Sequence, residues 1–142
     1  MATDEFTAIA DYELGHFLHD LGPEERALAS QTEFEVEYLA QPYHKAATGT
    51  PDGYTLLAMY MWQPHPKVIL FEESLRKKAA YFGSVAKAVY EAIKHEVEQH
   101  HFGRDHTKEE IEHGHAPAFM LPNNEEEEEL PQWQIHRLMG LH

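Results

Sequence analysis

Apolar residues recur at helical spacing over residues 4–21, where Phe6, Ile9, Leu14, Phe17, Leu18 and Leu21 form a stripe and Thr3 is available as N-cap. Gly22-Pro23 breaks this helix, and Pro23 can open a short second one through Glu24, Glu25 and Arg26. Residues 33–38 then switch to a period of two, with Glu33, Glu35 and Glu37 outward and Phe34, Val36 and Tyr38 inward, the pattern of a half-exposed strand. Residues 41–53 carry two Pro and two Gly and read as a loop or flap. Apolar runs at 54–62 and 67–73, joined by Gln63-Pro64-His65-Pro66, predict two central, buried strands. A second amphipathic helix starts after Gly83, with Ser84 as N-cap and Val85, Val89, Ala92, Ile93 and Val97 as its buried stripe. Gly103 is placed to end it. Thr107-Lys108-Glu109-Glu110 is a capping-box pattern that opens a further short helix.

These elements predict one α+β domain over residues 1–120: a small mixed sheet of three to four strands packed on an N-terminal helix and on the helix that starts at Ser84. Residues 121–142 form an acidic linker and tail. Asn123 to Glu129 is an acidic, low-complexity run, and Trp133, Ile135, Leu138 and Met139 offer apolar anchors for docking on the domain or on a partner.

Composition narrows the function. The chain of 142 residues contains no cysteine, so a bound metal must take His, Asp or Glu. A net charge of −14 argues against nucleic acid, which needs clustered Lys and Arg, and is compatible with solubility or with a basic substrate or partner. No basic-plus-apolar leader and no run of membrane-spanning length are present, which makes the cytoplasm the expected location. Twelve histidines are many for this length. His16 and His19 lie three apart in the first helix, where a surface or interfacial role is the better reading than a metal site.

The chemistry concentrates in AIKHEVEQHHFGRDH, residues 92–106. H-E-x-x-H sets two histidines four apart on a helix so that both reach one zinc ion, with the glutamate beside them as general base. Here His95 and His100 stand five apart, and Gln99 occupies the place of the second ligand. On a regular helix five residues leave the two side chains about 140° apart. A single π-bulge would absorb the extra residue and bring them back to one side. The alternative pair, Glu96 with His100, is four apart and needs no distortion, but makes Glu96 a ligand. Glu96 and His100 lie within or beside the apolar stripe and are expected to point inward, and a buried carboxylate is costly unless paired or metal-bound. His100-x-x-Gly103-x-x-His106 lets the chain turn and return His106 as third ligand. Glu109, Glu110 and His113 are fallback ligands, and His101 is expected to be exposed or to support the site from behind. Tyr54, Tyr60 or a loop histidine are candidates for stabilising an oxyanion, and Met120 beside Pro122 for a floor under the site.

Leu56-Leu57-Ala58-Met59-Tyr60, Val68-Ile69-Leu70-Phe71, His95-Glu96 and His100-His101-Phe102-Gly103 together resemble the small bacterial zincins. These are predicted zinc proteases with a matrix-metalloprotease-like domain, also called minimal gluzincin-like proteins. Their pattern is a strand L-L-G-x-Y, a strand I-x-L-[FY], and a helix ending H-E-x-x-H-H-F-G. Order and spacing match over about residues 20–106. The inserted residue makes the motif H-E-x-x-x-H, similar to that of dipeptidyl peptidase III, a zinc peptidase. The resemblance implies a zincin-like fold, zinc as cofactor and hydrolysis of a peptide or protein substrate. It implies zinc held by His95 and His100, and Glu96 as base. The family's acidic third ligand falls at Asp105-His106, which leaves Asp105 beside His106 as a candidate. An edge strand above the helix would pair with extended substrate, by the general mode of strand addition. The competing expectation is a non-catalytic metal-binding or protein-interaction module on a degenerate zincin fold.

Overall fold

The computed structural model describes residues 2–61, 64–101 and 118–122. Helix α1 spans Asp4–Asp20, and the Thr3 side chain accepts a hydrogen bond from the Phe6 amide at its start. It buries Phe6, Ala10 and Phe17. Pro23 opens α2 (Pro23–Ala29). Arg26 of α2 donates to the carbonyls of Leu18 at 2.9 Å and Leu21 at 2.8 Å, satisfying acceptors left over where α1 ends.

Four strands form one mixed sheet in the order β1-β3-β2-β4. They are β1 (Glu33–Glu37), β2 (Tyr54–Met61), β3 (Lys67–Phe71) and β4 (Ala118–Pro122). β1 runs parallel to β3, whereas β2 is antiparallel to both β3 and β4. As expected, β2 and β3 are central. β4 crosses the anticipated domain division at residue 120.

One face of the sheet carries α1 and α6 (Val85–Glu96), whose Ala88, Val89, Ala92 and Ile93 are fully buried with Leu57, Ala58, Tyr60, Val68 and Leu70 from the sheet. The Ser84 side chain caps α6 by accepting from the Lys87 amide at 3.0 Å. Phe34 and Val36 point to this core, in keeping with their alternation, while Glu35 on the opposite face meets Lys67 at 3.1 Å. Tyr38 departs from its expectation. It falls one residue beyond β1 and is 39% exposed.

Two further expectations are corrected. Residues 42–48 of the supposed flap form a helix, α3 (Pro42–Thr48). Pro42 starts it, the Gln41 and His44 side chains make a reciprocal capping box, and Gly49 ends it at φ 67°. α3 covers the second face of the sheet, with the buried His44 ring 4.8 Å from that of Phe71. The strand expected over 67–73 stops at Phe71, because Glu72 and Glu73 begin α4 (Glu72–Lys77). A short α5 (Ala79–Phe82) then leads through Gly83, at φ 108°, into α6. Among the described residues no helix is long and apolar enough to cross a membrane.

Glu72 ties the two ends of this framework together. Its carboxylate is 1% exposed and accepts from the Thr3 amide at 2.8 Å, the Thr3 hydroxyl at 2.9 Å and Arg76 Nε at 2.8 Å. Burial by itself raises its pKa, but the three hydrogen bonds outweigh that and hold the carboxyl below its usual value. A carboxylate whose folded pKa is depressed contributes stability above its unfolded pKa of about 4.3 and loses it as pH falls through the folded value. Glu72→Gln is therefore expected to cost about 2–3 kcal/mol at neutral pH. Urea denaturation should show the gap between the two proteins closing below about pH 4. A gap independent of pH would assign the loss to packing and not to the charge.

Candidate metal centre

The apolar stripe of α6 carries the chain across the sheet, and the helix changes pitch where the unusual motif begins. α6 is regular through Glu96, and Val97–His101 is π-helical. In an i→i+5 turn one additional residue is accommodated, so positions five apart return to the same side. The burial pattern follows that offset: Glu96 is 0% exposed and His101, five residues on, is 2% exposed. The helix is thus widened over the residues that directly follow His95-Glu96.

His101 explains how the π turn is held. Its Nε2 lies 2.8 Å from the Leu28 carbonyl oxygen and its Nδ1 lies 2.9 Å from the Tyr60 hydroxyl. A carbonyl only accepts, so Nε2 carries the proton, and Nδ1 accepts from Tyr60. The ring bridges the end of α2 and strand β2, which anchors the last turn of the helix to both. Of the two expectations for His101, exposure is thereby excluded, and Tyr60, 2% exposed, gives its hydroxyl hydrogen to this ring. Tyr54 is paired with Pro122 at the opposite end of β2 from Tyr60.

His95 and Glu96 are held from the other side. The His95 ring stacks on Phe119 of β4, centroids 4.4 Å apart and planes within 17°, and Phe119 meets Phe82 edge-on at 6.0 Å. A bulge in β2 puts Leu57 and Ala58 together on the helix side of the sheet, with Phe119 opposite Ala58 and Met120 opposite Leu56. By strand alternation Met120 therefore faces the second side of the sheet and does not floor the site. The His95 side chain is 33% exposed, and its Nδ1 lies 3.2 Å from Glu96 Oε2. Burial pushes the Glu96 carboxyl up to about 7, against the pull of His95 beside it. A carboxyl with its pKa raised to about 7, an imidazole ring clamped by an aromatic ring, and strand β4 alongside are thereby gathered at one place.

Of the residues expected at the site, the structure brings His95 and Glu96 together. The side chain of His100, together with Asp105, His106, Glu109, Glu110 and His113, lies outside the described residues. Among the described residues no group of three His, Asp or Glu side chains is close enough to hold a metal. An imidazole and a carboxylate on a helix fit the donor chemistry of zinc. Phe119 was not foreseen; its only sequence signal is the apolar run Ala118-Phe119-Met120-Leu121. Comparison of the chain with family models, curated proteins and solved structures finds no match.

Proposed function

We propose that this chain is a cytoplasmic zinc metallopeptidase on a zincin-like variant of the α+β fold. The observation that carries the proposal is the π turn at Val97–His101, directly after His95-Glu96. It supplies the accommodation without which an H-E-x-x-x-H motif cannot present two histidines to one ion. His95 and His100 would hold zinc, with His106 as third ligand and Asp105, Glu109, Glu110 and His113 as the other donors within reach along the chain. Because Nδ1 of His95 faces Glu96, its bond to metal would be made through Nε2. Zinc held there would supply Lewis-acid chemistry toward a peptide carbonyl and a water of lowered pKa. Glu96 takes the proton of the attacking water and passes it to the leaving amine. Phe119 keeps the His95 ring in one plane. Among the described residues β4 is the outermost strand beside His95, suited to align an extended peptide by main-chain hydrogen bonds.

The complete burial of Glu96 against His95 Nδ1 favours one second reading. There Glu96 orients the ligand histidine, and the chain is a non-catalytic metal-binding or interaction module, with the Trp133 tail as contact for a partner.

The first test is metal content. Elemental mass spectrometry of zinc-reconstituted protein is expected to find about one zinc per chain. His95→Ala and His100→Ala should each bind zinc at least ~10-fold more weakly. Wild-type protein that holds no zinc would overturn the enzyme reading and leave only an interaction module.

A further inference from the structure

A cleft of about 480 Å³ lies between α1 and the first turns of α6, and the proposed chemistry makes no use of it. Its volume falls in the range of small-molecule sites. Three rings line it: Tyr12, 72% exposed, then His16, whose ring centroid is 4.9 Å from that of Tyr90. The Tyr90 hydroxyl donates to Asp20 Oδ2 at 2.8 Å, which fixes its ring against the cleft.

Glu13 is the unusual member. It is 8% exposed on a helix face otherwise given to Phe6, Ala10 and Phe17, yet it lines the cleft. Oε1 lies 3.2 Å from His16 Nδ1. Its second oxygen takes no bond from a described residue and is open to solvent. Glu91 lines the same cleft, and Asp20 stands behind His16 at 3.6 Å. Against these acids stand the exposed Lys87 and the His16 ring that already meets Glu13.

We propose that this cleft binds a cationic side chain, the guanidinium or alkylammonium of a basic peptide, against the row of rings Tyr12, His16 and Tyr90 with its N–H groups directed to Glu13. Aromatic faces attract a cation through their quadrupole, and a carboxylate at the back of the cleft supplies the charged acceptor. A net charge of −14 draws such a partner in. The proposal does not depend on the metal centre, since neither His95 nor Glu96 lines the cleft.

The test uses Nα-acetyl-arginine amide and its neutral isostere Nα-acetyl-citrulline amide, titrated into the ¹⁵N-labelled full chain. Amide shifts are expected at residues 12–16 and 84–91, with the citrulline compound bound about tenfold more weakly. Glu13→Gln should weaken the arginine compound by a similar factor. Tyr12→Ala alters a largely exposed residue that the fold does not need, and should weaken binding about threefold or more. Lys87→Gln should tighten it, since one repelling charge is removed. Equal binding of the two compounds, binding weakened by Lys87→Gln, shifts elsewhere, or no shifts up to the solubility of the probe would each overturn the proposal.

Discussion

Glu96→Gln is expected to lower peptide hydrolysis by about 10²–10⁴-fold while the protein still binds about one zinc per chain. Gln is nearly isosteric and fits the same enclosed space, but it cannot accept and release a proton. The loss should therefore appear in kcat, with KM little changed, because the glutamate acts on the water and not on the bound peptide. If Glu96 instead serves to orient His95 through the 3.2 Å contact to Nδ1, the amide can still accept from that nitrogen but no longer offers a negative charge. The variant should then lose zinc affinity by about 10–100-fold. Metal titration and single-turnover hydrolysis, measured on the same preparation, separate the two roles. Unchanged zinc affinity together with undiminished hydrolysis would remove Glu96 from both.

His101→Ala is expected to destabilise the protein by about 2–4 kcal/mol, one of the larger effects of any single substitution outside the apolar core. The change removes the bonds of this ring to the buried Tyr60 hydroxyl and to the Leu28 carbonyl, which keeps the Gln31 amide as donor, and opens a void between α2 and β2. In a domain of this size that corresponds to a fall in Tm of roughly 5–15 °C. Tyr60→Phe removes one of the two bonds while leaving Nδ1 without its donor. The double variant should be less destabilised than the sum of the single ones, because both act on one network. Thermal unfolding with and without zinc also distinguishes this histidine from its neighbour. His101→Ala should lower Tm in both states, whereas a histidine that only binds metal affects the zinc-loaded protein alone. Full stability of His101→Ala would show that the π turn is held by something other than this bridge.

Several features were legible from residue order because their causes are local. Helix α1 with its Thr3 cap, the break at Gly22-Pro23, the start of α6 at Ser84 and the alternation in β1 follow from periodicity and capping chemistry, which act within a few residues. The central position of β2 and β3 followed from their unbroken apolar runs. The five-residue gap between His95 and His100 posed the question of a π turn in the same way. Other features depend on partners far along the chain. α3 was hidden because two Pro and two Gly within 41–53 read as a loop, although one Pro and one Gly sit where a helix begins and ends. The early end of β3 depends on Glu72 meeting Thr3, 69 residues away.

At the site the division is the same. The sequence by itself determined that His95, Glu96 and His100 share one helix end with an inserted residue, and that any metal must be bound by nitrogen and oxygen donors. Only the tertiary structure decided that the helix widens there, because the π turn is anchored by a hydrogen-bonded bridge from His101 to Tyr60 and Leu28, 41 and 73 residues away in sequence. It also decided that Phe119 clamps His95, which follows from β4 pairing with β2 across a bulge. Periodicity reports which face of an element is apolar. Which distant side chain that face meets depends on strand order and helix packing, and those are set by the whole chain burying its apolar surface at once.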